Sequence, residues 1–82
     1  MRDPKRISET LNLVNEIWIK NPDLRFQQLL YILQGGFSKK HNEVGVVKSI
    51  EEDGFTKVGF DLFSVEDNLF IEHLKDIAAN GI

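Results

Sequence analysis

The chain contains no cysteine, so it holds neither a disulfide framework nor a thiolate that could serve as nucleophile or metal ligand. A reducing cytoplasm is the default compartment. No apolar run approaches the ~20 residues of a membrane span, and Met1-Arg2-Asp3-Pro4-Lys5-Arg6 is not followed by the unbroken apolar stretch of a signal peptide. The expectation is a protein neither anchored in a membrane nor exported. A glycine-rich phosphate loop, a His-Glu-x-x-His metal motif and a Gly-x-Ser-x-Gly elbow are all missing. Catalysis, cofactors and metals therefore find no support, and the chain reads as a non-enzyme.

What is present is one small domain. At 82 residues the whole chain, 1–82, forms a single unit that buries about 60–65% of its unfolded surface, too little to house a closed cleft easily. A hydrophobic content of 41% with 28% charged residues is ordinary for a globular domain. The net charge of −3 hides an asymmetry: residues 1–42 carry seven Lys/Arg against four Asp/Glu, whereas residues 43–82 carry three against nine. One basic and one acidic end are expected.

The stretch from Asn21 to Gly36 organises the reading. Pro22 ends a preceding helix, Asp23 is placed to cap a new one, and Phe26, Leu29, Leu30 and Leu33 share one helical stripe. The Gly35-Gly36 pair is the expected stop, since glycine adopts the left-handed conformation that closes helices. Upstream, Asp3-Pro4 opens a helix running to Lys20, with Ile7, Leu11, Val14 and Trp18 as its apolar stripe and Ile17 and Leu13 widening it. That face is expected to pack on the second helix. Ile19 falls opposite the stripe, either exposed or meeting another part of the fold.

Phe37 to Glu43 reads as a polar loop carrying Lys39, Lys40 and His41. Val44 to Phe63 reads as a β-hairpin with an acidic turn. A two-residue Asp53-Gly54 loop would mix apolar and charged partners on one face. A three-residue loop, Glu52-Asp53-Gly54, instead pairs Ile50 with Thr56, Lys48 with Val58, Val46 with Phe60 and Val44 with Leu62, collecting the apolar residues together. We adopt that register, with Val46, Val58 and Phe60 expected against Leu29, Leu33 and the third helix. The outer face then carries Val47, Phe55 and Phe63. Ser64-Val65-Glu66-Asp67 has the form of a capping box for a last helix to Ala79, in which Phe70, Ile71, Leu74, Ile77 and Ala78 are buried and His73 is half-exposed. The fold class is α+β, three helices with a two-stranded antiparallel hairpin between the second and third.

The N-terminal Met1-Arg2-Asp3-Pro4-Lys5-Arg6-Ile7, the span from Glu16-Ile17-Trp18 through Pro22-Asp23-Leu24 to Leu30, and the Val65-Glu66-Asp67 helix with Phe70-Ile71 and Leu74 resemble a set of small uncharacterised proteins of phages, prophages and Gram-positive bacteria. More distantly they resemble the YihD-like bacterial family. The resemblance implies a three-helix scaffold and a phage or prophage origin, and carries over no functional residue. Gly45 to Ile50 with Asp53-Gly54 and Val58-Gly59-Phe60 is similar to the first hairpin of SH3-like barrels, with no further strands to close a barrel.

Two function classes follow from these residues. The leading one is a non-catalytic accessory protein, cytoplasmic in a bacterial host, that binds a host or phage protein through Val47, Phe55, Phe63 and Tyr31, aromatic side chains being favoured interface anchors. A homodimer would cover the same side chains. The alternative is nucleic-acid binding, with Arg2, Lys5, Arg6, Lys39, Lys40 and His41 as anion contacts.

Overall fold

Helix initiation at the N-terminus follows the expected chemistry. Asp3 accepts the Lys5 backbone N–H through Oδ1 at 2.9 Å, and α1 runs over Lys5–Lys20. It ends where Asn21 turns its side-chain amide back to the Ile17 carbonyl at 2.9 Å, with the Trp18 indole N–H donating to the Leu24 carbonyl at 2.8 Å. In this computed structural model, which describes residues 2–82, the remaining elements are α2 (Phe26–Lys40), β1 (Val46–Ile50), β2 (Thr56–Phe60) and α3 (Asp67–Asn80). Met1, the first residue of the N-terminal resemblance, lies outside the described residues. The order α-α-β-β-α and the single two-stranded antiparallel sheet are those the sequence predicts.

α2 departs from expectation at both ends. Its N-cap is Arg25 rather than Asp23, because Gln28 Oε1 reaches back to the Arg25 N–H at 2.7 Å and satisfies it. At the other end Gly35 and Gly36 do not stop the helix; it continues to Lys40, so the expected loop from Phe37 onward is helical as far as Lys40. The stop is Asn42, at φ +59°, followed by Glu43 at φ +61°, whose N–H donates to the Ser38 carbonyl at 2.7 Å. This six-to-one bond behind an asparagine in the left-handed region closes the helix.

The glycine pair has a packing role instead. A Cβ on Gly35 would lie 3.3 Å from Phe60 Cζ, and one on Gly36 would lie 3.1 Å from His73 Cε1. The two residues thus let β2 and α3 approach α2 from different sides.

The hairpin register is the predicted one: Val46 faces Phe60, Lys48 faces Val58 and Ile50 faces Thr56. Gly54 has φ +88° and its N–H donates to the Glu51 carbonyl at 2.9 Å, the geometry of a three-residue loop closed by a left-handed glycine. Val44 and Leu62 fall outside the ladder, since Val44 belongs to the turn that leaves α2. The two strands form no barrel.

The core is a single line of side chains. Ile17, Leu29, Leu33 and Leu74 are buried together, and Phe37 and Ile71 are buried beside them. α1 runs mainly along α3 and meets α2 only at its C-terminal end, through Ile17 against Leu29 and Leu33 and Trp18 against Phe26. Its covered face is therefore centred on Leu13 and Ile17, leaving Ile7 and Leu11 exposed. Phe26 is also exposed, stacked on Trp18 at 5.2 Å, so the inward face of α2 is Leu29, Leu33 and Phe37 with Leu30 only half-buried. The hairpin rests on the opposite face of α2: Phe60 packs on Tyr31 at 5.3 Å, away from Leu29 and Leu33. Ile19 is exposed.

α3 begins at Asp67 behind Glu66, and no side chain caps it, so the expected Ser64 capping box does not form. Its end is as read: Gly81, at φ +86°, donates its N–H to the Ile77 carbonyl at 2.8 Å. The layers α1/α3, α2 and hairpin give a flat particle of 44 × 34 × 19 Å with a radius of gyration of 14.1 Å, against about 12 Å for a compact chain of this length.

Candidate interaction surface

The expected apolar anchors sit at three places. Val47 lies on the outer face of β1, Phe55 at the tip and Phe63 just beyond β2, while Tyr31 is on α2 beneath the hairpin's inner face. Burial along the hairpin falls from base to tip. Val46, Val58 and Phe60 are half-buried, whereas Lys48, Ser49, Thr56 and Lys57 are exposed. Ile50 is 79% exposed, Phe55 73% and Phe63 96%. Short Asx turns hold the two phenylalanines: Asp53 Oδ1 accepts the Phe55 N–H and Asp61 Oδ1 the Phe63 N–H, both at 3.1 Å.

Ile50 was missed by the sequence reading, which placed it on the covered face. A five-residue strand spans about 17 Å, and the single helix beneath has a diameter of about 10–12 Å. Comparing those lengths is the signal that would have exposed it.

The cations are distributed differently. Arg2 pairs with Glu66 at 3.1 Å and Arg6 with Asp67 at 2.6 Å, both at the start of α3. Lys40 pairs with Asp76, nine residues further on and about 14 Å along the helix. The structure thus brings Arg2 and Arg6 together but not with Lys39, Lys40 and His41, and the basic and acidic halves of the sequence interlock rather than form opposite ends. Among the described residues Lys5 and Lys39 have no ion-pair partner, and His41 stacks on Phe37 at 4.2 Å.

His73 was expected at the surface. It is 4% exposed, in a three-ring cluster with Phe37 and Phe70, with Nε2 donating to the Leu33 carbonyl at 2.9 Å and Nδ1 accepting from Lys40 Nζ at 3.1 Å. Burial, then the Lys40 charge, holds its pKa below the ordinary value. Lys40 and Asn80 stabilise the Asp76 carboxylate and lower its pKa in turn.

No family model, curated protein or solved structure matches this chain. Among the described residues, no cluster of His, Asp and Glu has the form of a metal site, and no helix is long and apolar enough to cross a membrane. A surface depression lies between the starts of α1 and α3, and the Arg2–Glu66 and Arg6–Asp67 pairs line it.

Proposed function

We propose that the protein is a non-catalytic accessory protein of phage or prophage type, acting in the cytoplasm of a bacterial host by binding another protein. The docking surface is the projecting half of the hairpin with Phe63. The observation that carries the reading is the exposure of Ile50 and Phe55 on the hairpin's projecting half, with Phe63 exposed at its base. Exposed apolar groups of this size, rimmed by Glu51, Glu52 and Asp53, have the anchor-and-rim composition of protein interfaces. Nucleic-acid binding is disfavoured because three of its five Lys/Arg contacts, Arg2, Arg6 and Lys40, are paired with carboxylates.

The test is a pull-down from infected or lysogenic host cells with and without nuclease, run beside sedimentation of the purified chain. A protein partner retained after nuclease and lost with Phe55→Ala or Phe63→Ala supports the proposal. Retention that depends on nucleic acid, or complete burial of the same side chains in a dimer, overturns it.

A further inference from the structure

We infer that His73 is a proton-operated latch between α3 and the last turn of α2, and that protonation of its ring loosens the hairpin from the helices. This stands independently of any partner of the hairpin. A carbonyl oxygen only accepts, so the Leu33 contact places the single ring proton on Nε2 and leaves a bare lone pair on Nδ1. Lys40 Nζ donates to that lone pair. Both ring nitrogens are satisfied only while the imidazole is neutral.

A proton taken from water at Nδ1 turns that acceptor into a donor facing an ammonium, and the Lys40 contact becomes repulsive. One side of the ring lies against Gly36, where an added Cβ would come within 3.1 Å of Cε1 and 3.3 Å of Nε2. Phe37 and Phe70, 5.3 Å from each other, pack edge-on against it together, with ring centroids 5.8 and 5.6 Å away. The charged and titratable groups acting on the imidazole are Lys40 and His41 from α2, which oppose the added proton, and Asp76 from α3, which favours it. Their balance with burial sets the change below the ordinary histidine value of 6.5.

The same turn of α2 holds the root of the hairpin. The Ser38 hydroxyl donates to the Val44 carbonyl at 2.6 Å, and the Ser38 carbonyl accepts from Glu43 at 2.7 Å. Residues 36–41 are thus gripped by His73 on one side and grip the chain entering β1 on the other. Release at His73 passes to the hairpin through Ser38.

The test is NMR of the full isotope-labelled chain. At pH 7.5 the ring should be the Nε2–H tautomer. On titration to pH 4.5, the His73 ring and the amides of Glu43, Val46 and Phe60 should share one midpoint below 6.5, hydrogen exchange at those amides should rise several-fold, and amides around Ile17 should hold. Lys40→Met should raise both midpoints together and Asp76→Asn should lower both. His73→Gln keeps a donor towards Leu33 without titrating, so the hairpin step should vanish. Should that variant fail to fold, the opposite shifts of Lys40→Met and Asp76→Asn decide. An Nδ1–H tautomer, hairpin amides that ignore the ring's midpoint, a step persisting in His73→Gln, or simultaneous loss of the Ile17 amides overturns the latch.

Discussion

Nε2 of His73 donates to the carbonyl oxygen of Leu33, 2.9 Å away and 40 residues distant in sequence, and this bond ties α3 to α2. It succeeds because Gly36 has no side chain to hold the two helices apart.

Gly36→Ala should therefore destabilise the protein although alanine is the better helix former. Helix propensity favours the change by up to ~1 kcal/mol, while forcing a methyl against a buried, hydrogen-bonded ring costs about 1–3 kcal/mol. Gly35→Ala should be neutral or stabilising, because the Phe60 ring that its Cβ approaches is half-buried and has room to yield. Urea unfolding of the two single variants checks the contrast; equal effects would refute it.

The hairpin glycines should also separate. Gly45, at φ +76°, would place a Cβ 2.5 Å from the Asp61 carbonyl oxygen, so Gly45→Ala combines left-handed strain with a backbone clash. Gly54 has the same sign of φ and open space around it. Gly54→Ala should cost only the conformational term of about 1–2 kcal/mol, and Gly45→Ala should cost more. Thermal denaturation of both variants orders them.

These glycines also show how far the fold was legible in sequence. Gly54 could be read because a hairpin turn is local: the alternation of Val46, Lys48, Ile50 and Val58, Phe60 admits one register, and that register needs a left-handed residue at one place. Gly35-Gly36 could not, since a glycine pair that ends a helix and one that admits a neighbour look alike locally. Phe60 and His73 decide between them, and both are distant in the chain. His73 was misjudged for the same reason, its burial depending on Leu33 and Lys40 rather than on its own helix. Phe55 and Phe63 were legible as exposed because the hairpin's outer face needs no tertiary partner to define it.

Acid should weaken the fold in two stages with definite signs. The folded-state pKa of His73 is lowered, so the unfolded chain binds the proton more readily, and stability falls as pH drops from 6.5 towards the lowered value. Asp76 is also lowered; its contribution is present above 3.8 and is lost as pH falls through its folded value. Denaturant midpoints between pH 8 and 3 should decline in that order, and His73→Gln should remove the upper stage alone.

Core and surface substitutions should divide cleanly. Leu29→Ala or Leu74→Ala should cost about 2–5 kcal/mol, a large share of a small domain's stability. Phe55→Ala and Phe63→Ala should change stability by less than about 0.5 kcal/mol. If the proposed docking is right, each should weaken partner binding by more than ~1 kcal/mol with little salt dependence. A steep salt slope, reduced by about one on Lys39→Ala or Lys40→Ala, would signal phosphate contacts instead.

The docking of α1 on α3 has a consequence for how the chain is made. Ile17 is synthesised early, but Leu74, Ile77 and Ala78, which cover it, come some sixty residues later. During translation α1 and α2 can bring Ile17 against Leu29 and Leu33, but that core stays open on one side until α3 supplies Leu74. Completion of the core waits for α3, and this long-range closure slows folding relative to a bundle of neighbouring helices. A ribosome stalled within α3 would present Leu29, Leu33 and Phe37 partly uncovered to the chaperones that gather at the exit.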